Sequence, residues 1–221
     1  MWCIAEINEE YRERMYDLLD LYAEEYDPKR PVICLDEKPK QLIKNKRDSI
    51  PMRKGKLEKC DYEYERMGKT NIFLAVDFKG GKRDITVTNR RTKKDFAFYI
   101  KHLIDNVFPN AEILRIVLDN LNTHTEKAIK DNFDEIEAKR ILNKIEFHPT
   151  PKHASWLNIA EIEINVMDIE CTGRRIDSKK TLIKETSIWC NKRNEKESKI
   201  NWKFTKKDAD KKLSKYYKTN L

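Results

Sequence analysis

The chain has 221 residues, 38% of them charged and 39% hydrophobic, which is room for one sizeable core under a highly charged surface and excludes a disordered chain. A net charge of +8 points to a polyanionic partner. No apolar run is long enough to span a membrane, the acidic N-terminus is unlike a secretory leader, and Cys3, Cys34, Cys60, Cys171 and Cys190 form no CxxC or Cys/His cluster; a soluble protein of the reduced cytoplasm is expected.

In chain order, Ile7, Tyr11, Met15, Leu18, Leu19, Tyr22 and Tyr26 recur at helical spacing and predict an amphipathic helix over 6–26, stopped by Asp27-Pro28. Pro31 to Leu35 reads as a buried strand followed at once by Asp36 and Glu37. Residues 38–70 are basic and lack a clear period, so they read as a loop insertion, either a phosphate-tracking arm or a solvated segment. Asn71 to Val87 reads as a hairpin around Lys79-Gly80-Gly81-Lys82. Thr92 is placed to cap a helix to Phe108, with Phe96, Tyr99, Ile100, Leu103, Ile104 and Val107 as its apolar stripe. Ile113 to Leu118 is a second buried strand ending in a carboxylate, Asp119. A helix capped by Asn122 or Thr123 is expected over 125–133, a strand over 141–147, a helix from about Trp156 to Cys171, and a polar Lys-rich helix over 180–194. This order describes an α/β fold: a mixed sheet, antiparallel hairpin plus parallel strands, flanked by helices.

Carboxylates at the C-terminal ends of buried strands sit where α/β sheets open into ligand crevices. Asp119 alone reads first as the opening of a turn, but Asp36 repeats the pattern, and Glu161 and Glu163 lie on the late helix. If the two strands are neighbours, Asp36 and Asp119 face one crevice, with a third acid brought in by that helix. Few hard oxygen ligands suit Mg²⁺ or Mn²⁺, and two such ions support phosphodiester chemistry.

Three phrases, CLDEKPKQLI, RIVLDNLNTHT and EFHPTPKHASWLNIAEIEI, occur in the order of the three blocks of IS630 / Tc1–mariner transposases, and the chain resembles that superfamily over nearly its whole length. The resemblance implies an RNase H-like core and an Asp-Asp-Glu/Asp triad working with two Mg²⁺ or Mn²⁺ ions. Carried over by position, the triad is Asp36, Asp119 and Glu161, the last three residues after Asn158. Glu163 stands about 200° round the helix from Glu161, so only one of the two points squarely at a site.

The implied activity is DNA cleavage and strand transfer, acting on element ends and target as double-stranded DNA, with a homodimer expected and a cytoplasmic, nucleoid-associated location. Candidate DNA contacts are Lys38, Asn120, Asn122, His124, Lys152, His153, Ser155, Arg174 and Arg175. Helix capping competes for Asn122, a site-supporting or surface role for His124, ordinary surface exposure for the basic residues, and Trp156 reads as a core anchor. The expected division is a helical lead-in over 1–30, a catalytic core over 31–175 with the basic insertion at 38–70, and a helical extension over 176–221. Relatives carry helix-turn-helix units before the core, and there is no room for one before Asp36; a catalytic fragment, a split-frame product or a shortened descendant is expected. In relatives the insertion clamps the partner subunit, which the resemblance extends to 38–70. A nuclease of the same fold without strand transfer, and a non-catalytic DNA-binding regulator, are the competing readings.

Overall fold

A five-stranded sheet of order β3-β2-β1-β4-β5 frames the molecule, a computed structural model whose described residues are 7–59, 61–119 and 124–217. The central strand β1 (Val32–Asn45) pairs antiparallel with β2 (Tyr64–Asp77), which pairs antiparallel with β3 (Lys82–Thr88). On its other side β1 runs parallel to β4 (Leu114–Leu118), and β4 runs parallel to β5 (Ile145–Pro149). The expected mixed sheet is present, and the two carboxylate-bearing strands are indeed neighbours. Both are apolar on successive residues because helices cover both faces there.

Strand alternation divides the core in two. Cys34, Ile72, Leu74, Val76 and Val117 face helices α1 (Glu9–Ala23), α5 (Ala160–Met167), α6 (Lys179–Glu195) and α7 (Lys206–Leu213). Ile33, Leu35, Phe73, Ala75, Ile116 and Leu118 face α2 (Lys93–His102), α3 (Glu126–Lys130) and α4 (Glu135–Leu142). Thr92 opens α2 in a capping box with Asp95, and the predicted stripe from Phe96 to Val107 is buried, its last turn a π-helix over Leu103–Val107. The β2–β3 turn needs its glycines: Gly81 has φ +81°, and a Cβ there would stand 2.7 Å from the backbone of Glu197.

The structure corrects several sequence expectations. β1 does not end at Leu35 but continues through Asp36 to Asn45, so half of the supposed loop 38–70 is a β-ribbon with β2. Polar strands hide in sequence because backbone pairing, not an apolar face, holds them. Arg175 pins the ribbon's far end, donating to Asn45 Oδ1 at 3.0 Å and the Asp61 carbonyl at 2.8 Å while lying over the Tyr64 ring. Helix α3 is capped by Thr125; Asn122 and Thr123 lie outside the described residues. Ile141 belongs to α4 rather than to a strand, and β5 begins at Ile145. A 3₁₀ turn over Ser155–Leu157 precedes α5, which starts at Ala160.

Candidate active site

Parallel pairing of β1 with β4 ends at Cys34 opposite Val117. Asp36 and Asp119 each stand two residues beyond that pair, so both carboxylates emerge at the same end of the same two strands. Asp36 is paired with Leu74, whose side chain belongs to the face that α5 covers. Helix α5 is held there by Asn158, fully buried, whose Nδ2 donates to the Leu35 carbonyl at 2.9 Å and whose Oδ1 accepts from the Ala160 N–H at 3.1 Å. This clip sets the first turn of α5, and with it Glu161, beside Asp36.

Electrostatics show how close the acids are. Burial, with the negative charges of Asp119, Glu161 and Glu37 adding to it, pushes the Asp36 carboxyl up to about 7, although the Glu37 N–H donates to its Oδ1 at 2.7 Å. Asp119 Oδ1 accepts from the buried Thr150 hydroxyl at 3.2 Å. Glu161 is exposed at the rim. Among the described residues none of these three acids forms an ion pair with a basic side chain.

Glu163 has a different place. It is buried between two guanidinium groups, Arg83 Nε at 2.7 Å and Arg193 Nε at 3.0 Å from its Oε1, with Oε2 accepting from both as well. It ties α5 to β3 and α6 and has no free oxygen to offer a site.

Behind the sheet lies a pair that the sequence reading did not assemble. Glu37, one residue on from Asp36, points to the opposite face and contacts His124 Nε2 at 2.9 Å. His124 Nδ1 stands 3.2 Å from the Asp119 carbonyl, and its ring lies 4.7 Å from that of Phe96. Both side chains are buried, at 3% and 1% exposure, so His124 is enclosed by protein rather than open to DNA. The link joins the neighbours of the two strand carboxylates.

The remaining candidates separate. Lys38 is paired with Asp168, Arg174 with Glu185 at 2.8 Å, and Arg175 is spent on the ribbon. Lys152 and His153 are exposed and share a cleft with Tyr11 and Arg14 of α1, His153 in the left-handed region at φ 61°. Ser155 is half-buried at the 3₁₀ turn. Trp156 packs edge-on against Phe204, as a core anchor does. Asn120 and Asn122 lie outside the described residues.

The sequence profile described as DDE superfamily endonuclease matches residues 31–183, which takes in Asp36, Asp119 and Glu161. Among solved structures, the chain is similar to the Mos1 transposase paired-end complex with left transposon end, at TM-score 0.54 and 19% identity over 90% of this chain and 64% of that one. It is similar also to the Mos1 strand transfer complex, at 0.54 and 17% over 92% and 66%, and to the Mos1 mariner paired end complex with Mn, at 0.52 and 17% over 90% and 60%. The chain thus spans about three-fifths to two-thirds of the length of these transposase chains, and at such identities the likeness is one of fold, the RNase H-like transposase fold. No curated protein is similar enough in sequence to count as a relative.

Proposed function

We propose a function for a chain that belongs to the DDE superfamily of endonucleases: it is the catalytic domain of a DDE transposase of the IS630 kind, cutting and joining DNA. The observation that carries this is the convergence of Asp36, Asp119 and Glu161, from β1, the end of β4 and the start of α5, with no basic side chain paired to any of them among the described residues. Glu163, the other acid on α5, is consumed by Arg83 and Arg193, which leaves Glu161 as the third member.

The donor set fits a divalent cation. Among the described residues no three acidic, His or Cys side chains already close into an ion cage. Mg²⁺ and Mn²⁺ do not require one, since one or two carboxylates plus water and substrate phosphate complete their shells. The acidic cluster around Asp36 is the kind of uncompensated charge a cation relieves. When bound by Asp36, Asp119 and Glu161, two Mg²⁺ or Mn²⁺ ions would stabilise charge on the attacking and leaving oxygens of a phosphodiester. Solved Mos1 complexes described with Mn and with Mg support that choice.

The chain's own residues then have distinct tasks. Thr150 and the Glu37 N–H orient the two strand carboxylates, and the buried Glu37–His124 link braces them from behind. Lys152 and His153 line a cleft that would receive DNA phosphate, in which Arg14 is paired with Glu10. Water attacks first at the element end and the freed 3′-OH attacks target DNA. The β1–β2 ribbon, whose tip exposes Met52, Leu57 and Tyr62, is the surface for a second copy, so the active form is a dimer. We keep 1–30, 31–175 and 176–221 as lead-in, catalytic core and extension. A DNA enzyme of this kind works in the nucleoid-containing cytoplasm, and no described helix is long and apolar enough to cross a membrane.

The test is incubation with supercoiled plasmid and Mn²⁺ or Mg²⁺ beside Asp119→Ala. Metal-dependent nicking that the variant lacks is the expected result, with strand-transfer products when element ends are supplied. Nicking without transfer would identify a nuclease of the same fold. DNA binding without nicking under either metal would identify a regulator and end the catalytic reading.

A further inference from the structure

Positive charge is distributed unevenly along this chain. Residues 176–221 hold fourteen Lys and Arg against six Asp and Glu, a net +8 that equals that of the whole molecule; residues 1–175 hold thirty-two of each and are neutral. Four of the six acids of the C-terminal stretch have partners of their own, and Asp208 and Asp210 lie within reach of Lys211, Lys212 and Lys206. Asp177 accepts from Thr181, Glu185 pairs with Arg174, Asp208 caps α7 through Thr205, and Asp210 accepts from Tyr217.

Lys206 pairs with Asp20 and Lys179 donates to Asn89, but other lysines of this stretch form no ion pair among the described residues. Helix α6 buries Leu182, Thr186, Trp189 and Cys190 and turns Lys180, Lys184 and Lys192 outward, with Lys196 at its C-cap. These four are exposed and form no ion pair among the described residues, and the same holds for Lys207 and Lys211 on α7. On the opposite face of the sheet Lys101 and Arg140 are both neutralised by Asp105 and Glu137, while Lys93, Lys94, Lys127 and Lys139 are exposed and form no ion pair among the described residues. Leaving so many ammonium groups unpaired on one layer raises self-repulsion, and a polyanion laid along it releases counterions and removes that cost. Helix α6 is 17 residues long, about 25 Å, enough to track several phosphates of a duplex.

We infer that the outer face of α6 is a second DNA-binding surface, separate from the carboxylate site, that holds the backbone of double-stranded DNA without reading its sequence. The choice of duplex DNA as occupant rests on the function proposed above; the basic surface itself does not.

The experiment measures binding of the full chain to a fluorescent duplex of arbitrary sequence, with chelator present so that cleavage cannot intervene, across a salt titration. One variant carries Lys180→Glu, Lys184→Glu, Lys192→Glu and Lys196→Glu. A control carries the same four-charge reversal on the other face, at the exposed Lys93, Lys94, Lys127 and Lys139. The α6 variant should bind at least about tenfold more weakly near 0.1 M salt, and its salt slope should fall by about 0.9 for each lysine that meets a phosphate. The control should change far less. Equal losses in both variants, or none in either, would overturn the inference, as would an α6 effect confined to single-stranded RNA or anionic vesicles of equal charge. Plasmid nicking is scored separately: duplex binding lost with α6 in a chain that never nicks sinks the catalytic proposal and leaves this surface standing.

Discussion

Asp36 carries the clearest consequence of placing acids together. Its carboxyl is raised from 3.8 to about 7, first by burial and then by the neighbouring negative charges. For an acid shifted upward the sign is adverse to the ionised fold. Below about pH 4 the native state suffers nothing; between pH 4 and 7 the penalty grows as the unfolded chain ionises and the folded one resists; above 7 it is complete. Asp36→Asn, which keeps the oxygen that accepts from the Glu37 N–H, escapes that penalty. In urea titrations without metal the variant should match the parent at pH 4 and exceed it at pH 8 by a few kcal/mol at most. Added Mg²⁺ or Mn²⁺ should stabilise the parent and not the variant. A variant less stable than the parent at pH 8 would mean that the cluster is not an uncompensated one. At this scale the sequence points to Asp36 and Asp119, because each closes a short apolar run, although β1 itself runs on through Asp36 to Asn45. It names His124 as a supporting candidate but holds no sign of its partnership with Glu37, which depends on β1 and β4 lying side by side with His124 folded behind them.

At the scale of elements, α5 shows how one helix separates two acids by two residues. Asn158 holds its start to β1, and Glu163 anchors it to Arg83 and Arg193. Asn158→Ala would leave the Leu35 carbonyl and the Ala160 N–H without their partner inside the core, costing about 2 kcal/mol. Glu161 would lose its alignment, so nicking should fall well beyond the loss of folded protein. Glu163→Gln makes the contrast: it strands the buried Arg83 guanidinium and the part-exposed Arg193 and should destabilise by roughly 3 kcal/mol, yet the folded fraction in the cold should nick at the parent's rate. Equal specific activity in the two variants would break the distinction between Glu161 and Glu163. Helix signals in the sequence were uneven. Thr92 with Asp95 announces α2 beside a long stripe, whereas α4 and α7 are eight residues each and have little periodicity to read. Their caps were the available sign: Asp134 ahead of Glu137, and Thr205 with Asp208 in a full capping box.

The whole molecule is an acidic body with two basic outgrowths, since 38–70 carries a net +6 and 176–221 a net +8 while the remaining residues come to −6. The first outgrowth is the β1–β2 ribbon, and composition alone suggested a loop there because, apart from Leu42 and Thr70, its described residues have no buried side chains to impose alternation. Its pairing continues without β4 and is fastened by Arg175 and by the Ile43 N–H donating to the Ile176 carbonyl at 2.7 Å. A ribbon so firmly held, yet exposing Met52 at 72%, Leu57 at 83% and Tyr62 at 84%, is built to be covered by something. A second copy is the occupant that the proposed function requires. Replacing these three side chains with Ser should leave the monomer folded, because none contributes to either core, and should reduce the mass seen by light scattering from dimer to monomer. Strand transfer should fall with it, while nicking of plasmid, which needs one site, persists. A parent chain that is monomeric at all accessible concentrations, with and without DNA, would remove the ribbon from the assembly and leave its apolar tip to a different partner.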